Sequence, residues 1–340
     1  MRASRGVRII CLSLLATFFG ATAGVTQTVN PKLPEAYPKG LNMGSAFEQQ
    51  GVPSTPDKEQ MKRSNVKSMT VWQYDAASGK VPGEVVEGSG LKILSASYDE
   101  EGNEVEQTAF SPGGKVTQKI SVDYDTSGFI SESVINSYIE SVDQTINQRV
   151  VYEYDPDNRL VKVSSYDLDG GEVSLQIDYS YDGAGHVVGS STFMPNGLAN
   201  MRSEYTYDTD ERIAMVVFID QSEGRVMIQS EFNYDADGWE TVSYGPDDEV
   251  IEKTRNNYDS SGNIARVIRY DSQHRVISDV SYTYDSEGRV LETVSALPSA
   301  DMKTRTTSTY DDQGNVVEQV TYNKLDEPVK VLKYEYEYFE

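Results

Sequence analysis

The chain has 340 residues, with 54 Asp and Glu against 30 Lys and Arg, for a formal charge of −24. So acidic a surface repels the phosphates of nucleic acid and the anionic face of a membrane, both of which need Lys and Arg to neutralise them. One cysteine and two histidines offer no disulfide framework and none of the clustered ligands that a zinc centre needs.

In chain order, Arg2, Arg5 and Arg8 come first, followed by an apolar run from Ile9 to Gly20 too short to span a bilayer. Ala21-Thr22-Ala23 then supplies the small-x-small pattern of a signal-peptidase site, so residues 1–23 are expected to be a signal peptide. Its removal takes away Cys11 and three arginines, moving the charge from −24 to −27. No later stretch is apolar enough for a transmembrane helix, and a secreted, periplasmic or cell-surface location follows. Residues 24–66 carry Pro31, Pro34, Pro38, Pro53 and Pro56 among Gln, Lys and Gly, and lack periodicity. They read as an extended or disordered leader whose end is basic through Lys58, Lys62 and Arg63.

From residue 67 to 340 a Tyr-Asp pair recurs, beginning at Tyr74-Asp75 and Tyr98-Asp99 and ending at Tyr310-Asp311. The ten pairs lie 24 to 30 residues apart, which marks a repeat architecture. Val280, Tyr282 and Tyr284 alternate with Ser281 and Thr283, the period of a strand with one buried face. Val150, Tyr152 and Tyr154 repeat the pattern. The tetrad that follows opens with Asp, whose carboxylate can accept backbone N–H bonds from the next residues. It closes with a residue able to take positive φ, such as Gly128, Gly262 or Gly288, so the tetrad reads as a hairpin turn. Asn158 serves the same purpose, and Glu211 is the weak member.

A second turn falls midway through each unit, as at Ser111-Pro112-Gly113-Gly114 and Met194-Pro195-Asn196-Gly197. About 20 short strands therefore pair antiparallel with their sequence neighbours. A flat sheet of that size would be ~95 Å wide with one apolar face bare, so it must coil. Closing it into one round barrel would leave a wide lumen that the sequence has no obvious means of filling. The expected fold is all-β, a repeat array of antiparallel β-hairpins forming a long twisted or spiralled β-meander sheet.

The Tyr-x-Tyr-Asp-x-x-Gly-Arg-Val form at Tyr282 to Val290 resembles the YD repeat of bacterial Rhs and teneurin-type proteins, a likeness covering residues 72 to 338. It implies β-hairpins in a sheet that spirals into a shell, which in some members encloses a toxin domain. This chain continues into neither a cleavage segment of that family's type nor a cargo domain, ending at Tyr334-Glu335-Tyr336-Glu337-Tyr338-Phe339-Glu340.

Most tyrosines match the buried face and read as cross-strand core. Those nearest the mid-unit turns, Tyr166, Tyr244, Tyr270 and Tyr322, are the candidate exposed minority and the candidate binding residues for a sugar or protein. Asp-x-Asp-Gly fragments such as Asp235-Ala236-Asp237-Gly238 lack the full spacing of a calcium loop and read as turn aspartates, leaving only weak, adventitious calcium binding to so acidic a surface. His186 and His274 lie in different turns, and nothing marks a nucleophile elbow. No catalytic, cofactor or metal site is expected. An outer-membrane barrel is disfavoured by short turns on both sides and by an outer face without a Leu/Phe band. The reading is a secreted, non-enzymatic scaffold with a protein or polysaccharide partner and none in nucleic acid, its alternatives a carbohydrate-binding surface protein or a partial Rhs-like shell of a toxin system. Basic residues before the first strand and Glu335, Glu337 and Glu340 on the last suggest head-to-tail association of free sheet edges.

Overall fold

The computed structural model describes residues 57–76, 83–139, 143–169 and 171–340. The expected signal peptide, and the leader up to residue 56, lie outside the described residues. A short helix α1 (Lys58–Arg63) comes first, followed by β1 (Val66–Asp75), β2 (Leu91–Tyr98), β3 (Glu104–Phe110), β4 (Val116–Tyr124), β5 (Ile130–Ile139) and β6 (Gln144–Tyr154). Then come β7 (Leu160–Asp167), β8 (Val173–Tyr181), β9 (Val187–Phe193), β10 (Ala199–Tyr207), β11 (Ile213–Asp220), β12 (Arg225–Asp235) and β13 (Gly238–Tyr244). The last are β14 (Val250–Tyr258), β15 (Ile264–Asp271), β16 (Val276–Tyr284), β17 (Val290–Leu297), β18 (Met302–Tyr310), β19 (Val316–Tyr322) and β20 (Pro328–Tyr338).

Most of the turn tetrads fold as their chemistry dictates. At Asp285 the backbone N–H donates to the Arg289 carbonyl at 2.9 Å, and the Gly288 N–H donates to the Asp285 carbonyl at 3.2 Å. The Asp285 carboxylate accepts from the backbone N–H of Glu287 at 2.8 Å and of Arg289 at 2.9 Å. Gly288 has φ 81°, and the pairing slips by one residue just before Tyr284, as a type I turn closed by a left-handed residue requires. Glu211 occupies the same left-handed position with φ 63°. A side chain there costs about 1–2 kcal/mol. Glu211→Gly is therefore expected to stabilise the protein by about 0.5–1 kcal/mol, read as a higher urea midpoint.

Neighbouring units are tied by their tyrosines. Tyr124, Tyr154, Tyr181, Tyr207, Tyr234, Tyr284, Tyr310 and Tyr336 each donate the hydroxyl proton to a backbone carbonyl at the start of the preceding unit's second strand, at 2.6–2.9 Å. The residue after the turn often lies on the next tyrosine ring. Arg159 covers Tyr181 at 5.0 Å, Arg212 covers Tyr234 at 4.3 Å, Arg289 covers Tyr310 at 4.8 Å, and His186 stacks on Tyr207 at 4.8 Å. Each hydroxyl is thus satisfied by backbone of the unit before it, which fixes the distance between repeats.

The expectation of an open, twisted or spiralled meander is corrected here: the antiparallel sheet closes into a 20-stranded barrel. Every strand pairs with its sequence neighbour, and β1 also pairs with β20 at nine register positions from Val66↔Tyr338 to Asp75↔Lys330. At ~4.8 Å per strand and a tilt of about 40°, the perimeter is roughly 120 Å. The lumen-facing surface is not apolar throughout, because its middle is polar. The register puts Ser133, Ser165, Thr192 and Ser203 on the tyrosine face, along with hydrogen-bonded pairs such as Ser230–Ser243 at 2.9 Å and Thr306–Thr321 at 3.2 Å. Apolar burial concentrates toward the tyrosine turns, in Ile130, Leu160, Val187 and Ile213, each no more than 2% exposed. The outer face carries ion pairs, among them Lys119–Glu106 at 2.8 Å, Arg149–Glu132 at 2.6 Å and Lys253–Glu240 at 2.6 Å.

Three further expectations change. Closure joins the two edges within one chain, so the free edges required for head-to-tail association are absent among the described strands. Residues 58–63, at the end of the segment read as an extended leader, form a helix because Asp57 caps it and Met61 is wholly buried. Tyr74, the first tyrosine of the series, sits opposite Val331 on the outer face and takes no place in the hydroxyl ladder.

Candidate functional site

The four tyrosines singled out in the sequence occupy one structural position. Tyr166, Tyr244, Tyr270 and Tyr322 are the last or penultimate residues of β7, β13, β15 and β19, at the barrel end opposite the tyrosine turns. Alternation puts all four outside, since the preceding Ser165, Ser243, Arg269 and Thr321 face the lumen. They stand opposite Arg149, Gln229, Lys253 and Arg305 on the neighbouring strands.

Phe110, Tyr138 and Phe193 hold the equivalent places on β3, β5 and β9. The sequence reading missed them by following tyrosine alone; an aromatic at the same offset before most of the mid-unit turns was the available signal. The row therefore runs along the outer rim on β3, β5, β7 and β9 at ~9.6 Å intervals and resumes on β13 and β15, with Ile219 at the equivalent place on β11 and no aromatic at the end of β17.

Cations grip several of these rings. Lys92 Nζ lies 5.0 Å from the Phe110 ring, Lys115 Nζ 3.8 Å from Tyr138, and the Arg149 guanidinium 5.8 Å from Tyr166. Arg149 is also held by Glu132, whose carboxyl is lowered in pKa first by that hydrogen bond. The Tyr138 hydroxyl donates to Asp143 at 2.7 Å, and that of Tyr244 to Glu231 at 3.4 Å. Tyr166, Tyr244 and Tyr270 are half-buried, leaving part of each ring at the surface. Tyr322 is not available: it is 5% exposed, packed with Val320 and Val331 beneath Arg305 at 3.8 Å. The rim presents aromatic faces among fixed cations and carboxylates, an arrangement that stacks and hydrogen-bonds.

The acidic turn fragments act within their own turns. Asp155 accepts from the N–H of Asp157 and of Arg159, both at 2.9 Å, and Asp235 accepts from the N–H of Asp237 at 2.9 Å while its outer side is held bidentately by Arg255 of β14 at 2.7 and 2.9 Å. Among the described residues, no group of three or more His, Cys, Asp or Glu side chains is arranged to hold a metal ion. His186 Nδ1 lies 3.1 Å from Asp182 in its turn, and His274 takes the left-handed position of another with φ 60°.

A closed barrel of nearest-neighbour-coupled hairpins with a polar lumen is a repeat shell. Residues 84–292, more than half of the chain, match the Teneurin YD-shell family, and the protein belongs to it. No curated protein sequence matches. Among solved structures, a porin-like protein from Bacteroides uniformis is similar at 9% identity and a TM-score of 0.36, over 80% of this chain and 98% of that one. The TcdB2-TccC3-TEV structure is similar at 14% identity and a TM-score of 0.23, over 77% of this chain. A Photorhabdus luminescens Tc holotoxin pore is similar at 15% identity and a TM-score of 0.20 over the same share. This chain spans 14% of the length of each of those two chains.

Proposed function

We propose that this shell is an exported, non-enzymatic scaffold that works outside the cytoplasm by presenting its outer rim to a partner, with an extended polysaccharide as the ligand class. The observation that carries the reading is the aromatic row on alternate strands, Phe110, Tyr138, Tyr166 and Phe193 being consecutive members. Their ~9.6 Å interval is close to the length of one disaccharide unit in a β-linked chain, so successive rings would meet successive equivalent sugar faces. The ion pairs of the outer face support an aqueous setting, because a lipid-facing barrel needs an apolar band about 25 Å tall there. The expected signal peptide supports export.

The test is retention of the protein on insoluble β-linked polysaccharides. Tyr166→Ala together with Tyr244→Ala and Tyr270→Ala is expected to weaken retention about tenfold or more, since each stacked ring contributes on the order of 1 kcal/mol. Tyr322→Phe, altering a ring already beneath Arg305, should leave retention unchanged. Retention that survives the triple substitution would remove the rim from the reading. A second reading, a partial Rhs-like shell of a toxin system, is favoured by the family and by the closed barrel with its partly polar inner face. Copurification of a polypeptide shielded from protease by the barrel would select it.

A further inference from the structure

We propose that helix α1 is a releasable latch that holds the barrel's one non-covalent seam shut, so that its release parts β1 from β20 and opens the lumen sideways. Elsewhere around the barrel, consecutive strands are joined by the chain itself, and the tyrosine ladder couples one unit to the next at every unit but that of Tyr258. Only β1 and β20 meet without a connecting turn, and there the ladder stops. Tyr336 bonds back to Val316, Tyr74 points outward, and the buried Tyr98 hydroxyl has no hydrogen-bond partner.

The helix takes the ladder's place. Met61 is wholly buried in one apolar cluster with Met69, Val71, Leu94 and Tyr98 of β1 and β2 and Leu332 and Tyr334 of β20, so it belongs to the core that spans the seam. Gln60 Nε2 lies 2.9 Å from both the Gln313 carbonyl and Asn315 Oδ1, in the turn between β18 and β19. On the other side Lys62 pairs with Glu101 in the turn between β2 and β3. Gly102 in that turn has no room for a Cβ against the Lys58 carbonyl and the Lys62 amide, so helix and turn touch backbone to backbone. Asn65 completes the fastening: its carbonyl accepts from the Phe339 N–H and its side-chain amide donates to the Phe339 carbonyl, both at 3.0 Å.

A six-residue helix held by one apolar side chain and a few exposed or part-buried polar bonds is an element that can be displaced without unfolding the rest. Displacement would bare two strand edges that now satisfy each other.

Hydrogen exchange read peptide by peptide tests this in the full chain. In Met61→Ser, amides of β1 and β20 are expected to exchange roughly tenfold or more faster, with β6 to β16 unchanged. Gln60→Ala, milder, should shift the same peptides in the same direction if Met61→Ser does not fold. Ser68→Cys with Glu337→Cys, opposed across the seam and made with Cys11→Ser, is expected to restore protection in Met61→Ser once oxidised. Uniform acceleration around the barrel, no acceleration at the seam, or a formed disulfide that fails to restore protection would each overturn the latch.

Discussion

Between about pH 10 and about 12 the barrel is expected to unfold in one steep step that coincides with ionisation of its buried and half-buried tyrosines. Burial, the first cause in each case, pushes Tyr181, Tyr207 and Tyr234 up to about 12, and pushes Tyr154, Tyr179, Tyr334 and Tyr336 up further. An unconstrained tyrosine titrates near 10. A group whose pKa is raised by folding contributes its full stabilisation below the unfolded value and loses it as pH rises through the folded one. The chemistry agrees, because a tyrosinate has no proton to give the carbonyl it now bonds, and each ladder bond joins two units. Tyrosinate absorbance followed alongside far-ultraviolet circular dichroism checks this. Gradual titration near pH 10 with the β signal intact would contradict it.

The acid limb has the opposite sign. Backbone N–H bonds within the turns are the first cause holding Asp155, Asp182, Asp259 and Asp285 below the ordinary carboxylate value. Their contribution is present above about pH 4 and is lost as pH falls through those lowered values. The stability maximum should therefore form a broad plateau between the two limbs.

What was legible in the sequence was what is local. Asp285 to Gly288 declare a hairpin because the hydrogen bonds that form it lie within five residues, and strand alternation declares the buried face. The four rim tyrosines were legible as turn neighbours, though not as one row. Closure was not legible, since β1 and β20 lie more than 250 residues apart in sequence and their pairing has no local signature. A wide lumen with nothing obvious to fill it told against a barrel, yet the tyrosine face turns to serine or threonine partway along several strands, as at Ser133 and Thr306. The burial of Tyr322 depends on Val331, Tyr74, Ala76 and Val85, which come from distant parts of the sequence, and the ladder depends on backbone carbonyls, which look alike in every sequence.

Asp235-Ala236-Asp237-Gly238 shows how the same tetrad can depart from the pattern, and it carries the largest expected effect of a single substitution. Here Asp235 pairs directly with Gly238, so the hairpin closes over two residues rather than through the left-handed turn seen at Gly288. Gly238 has φ 150°, and the Asn256 carbonyl of β14 occupies the space a Cβ would need. The strands cannot separate cheaply, because the next pair along, Trp239 and Asn256, faces the lumen with each residue 4% exposed. Gly238→Ala is therefore expected to cost about 3 kcal/mol or more, by backbone collision added to a conformation that L residues rarely adopt. Gly288→Ala is the matched comparison: its φ is 81° and no atom lies within 4 Å of an added Cβ, so only the conformational cost of about 1–2 kcal/mol remains. Urea unfolding of the two variants side by side should place Gly238→Ala well below Gly288→Ala. Equal midpoints would mean that β14 yields to the new methyl group and that the close approach at Asn256 contributes nothing to holding β13 in place.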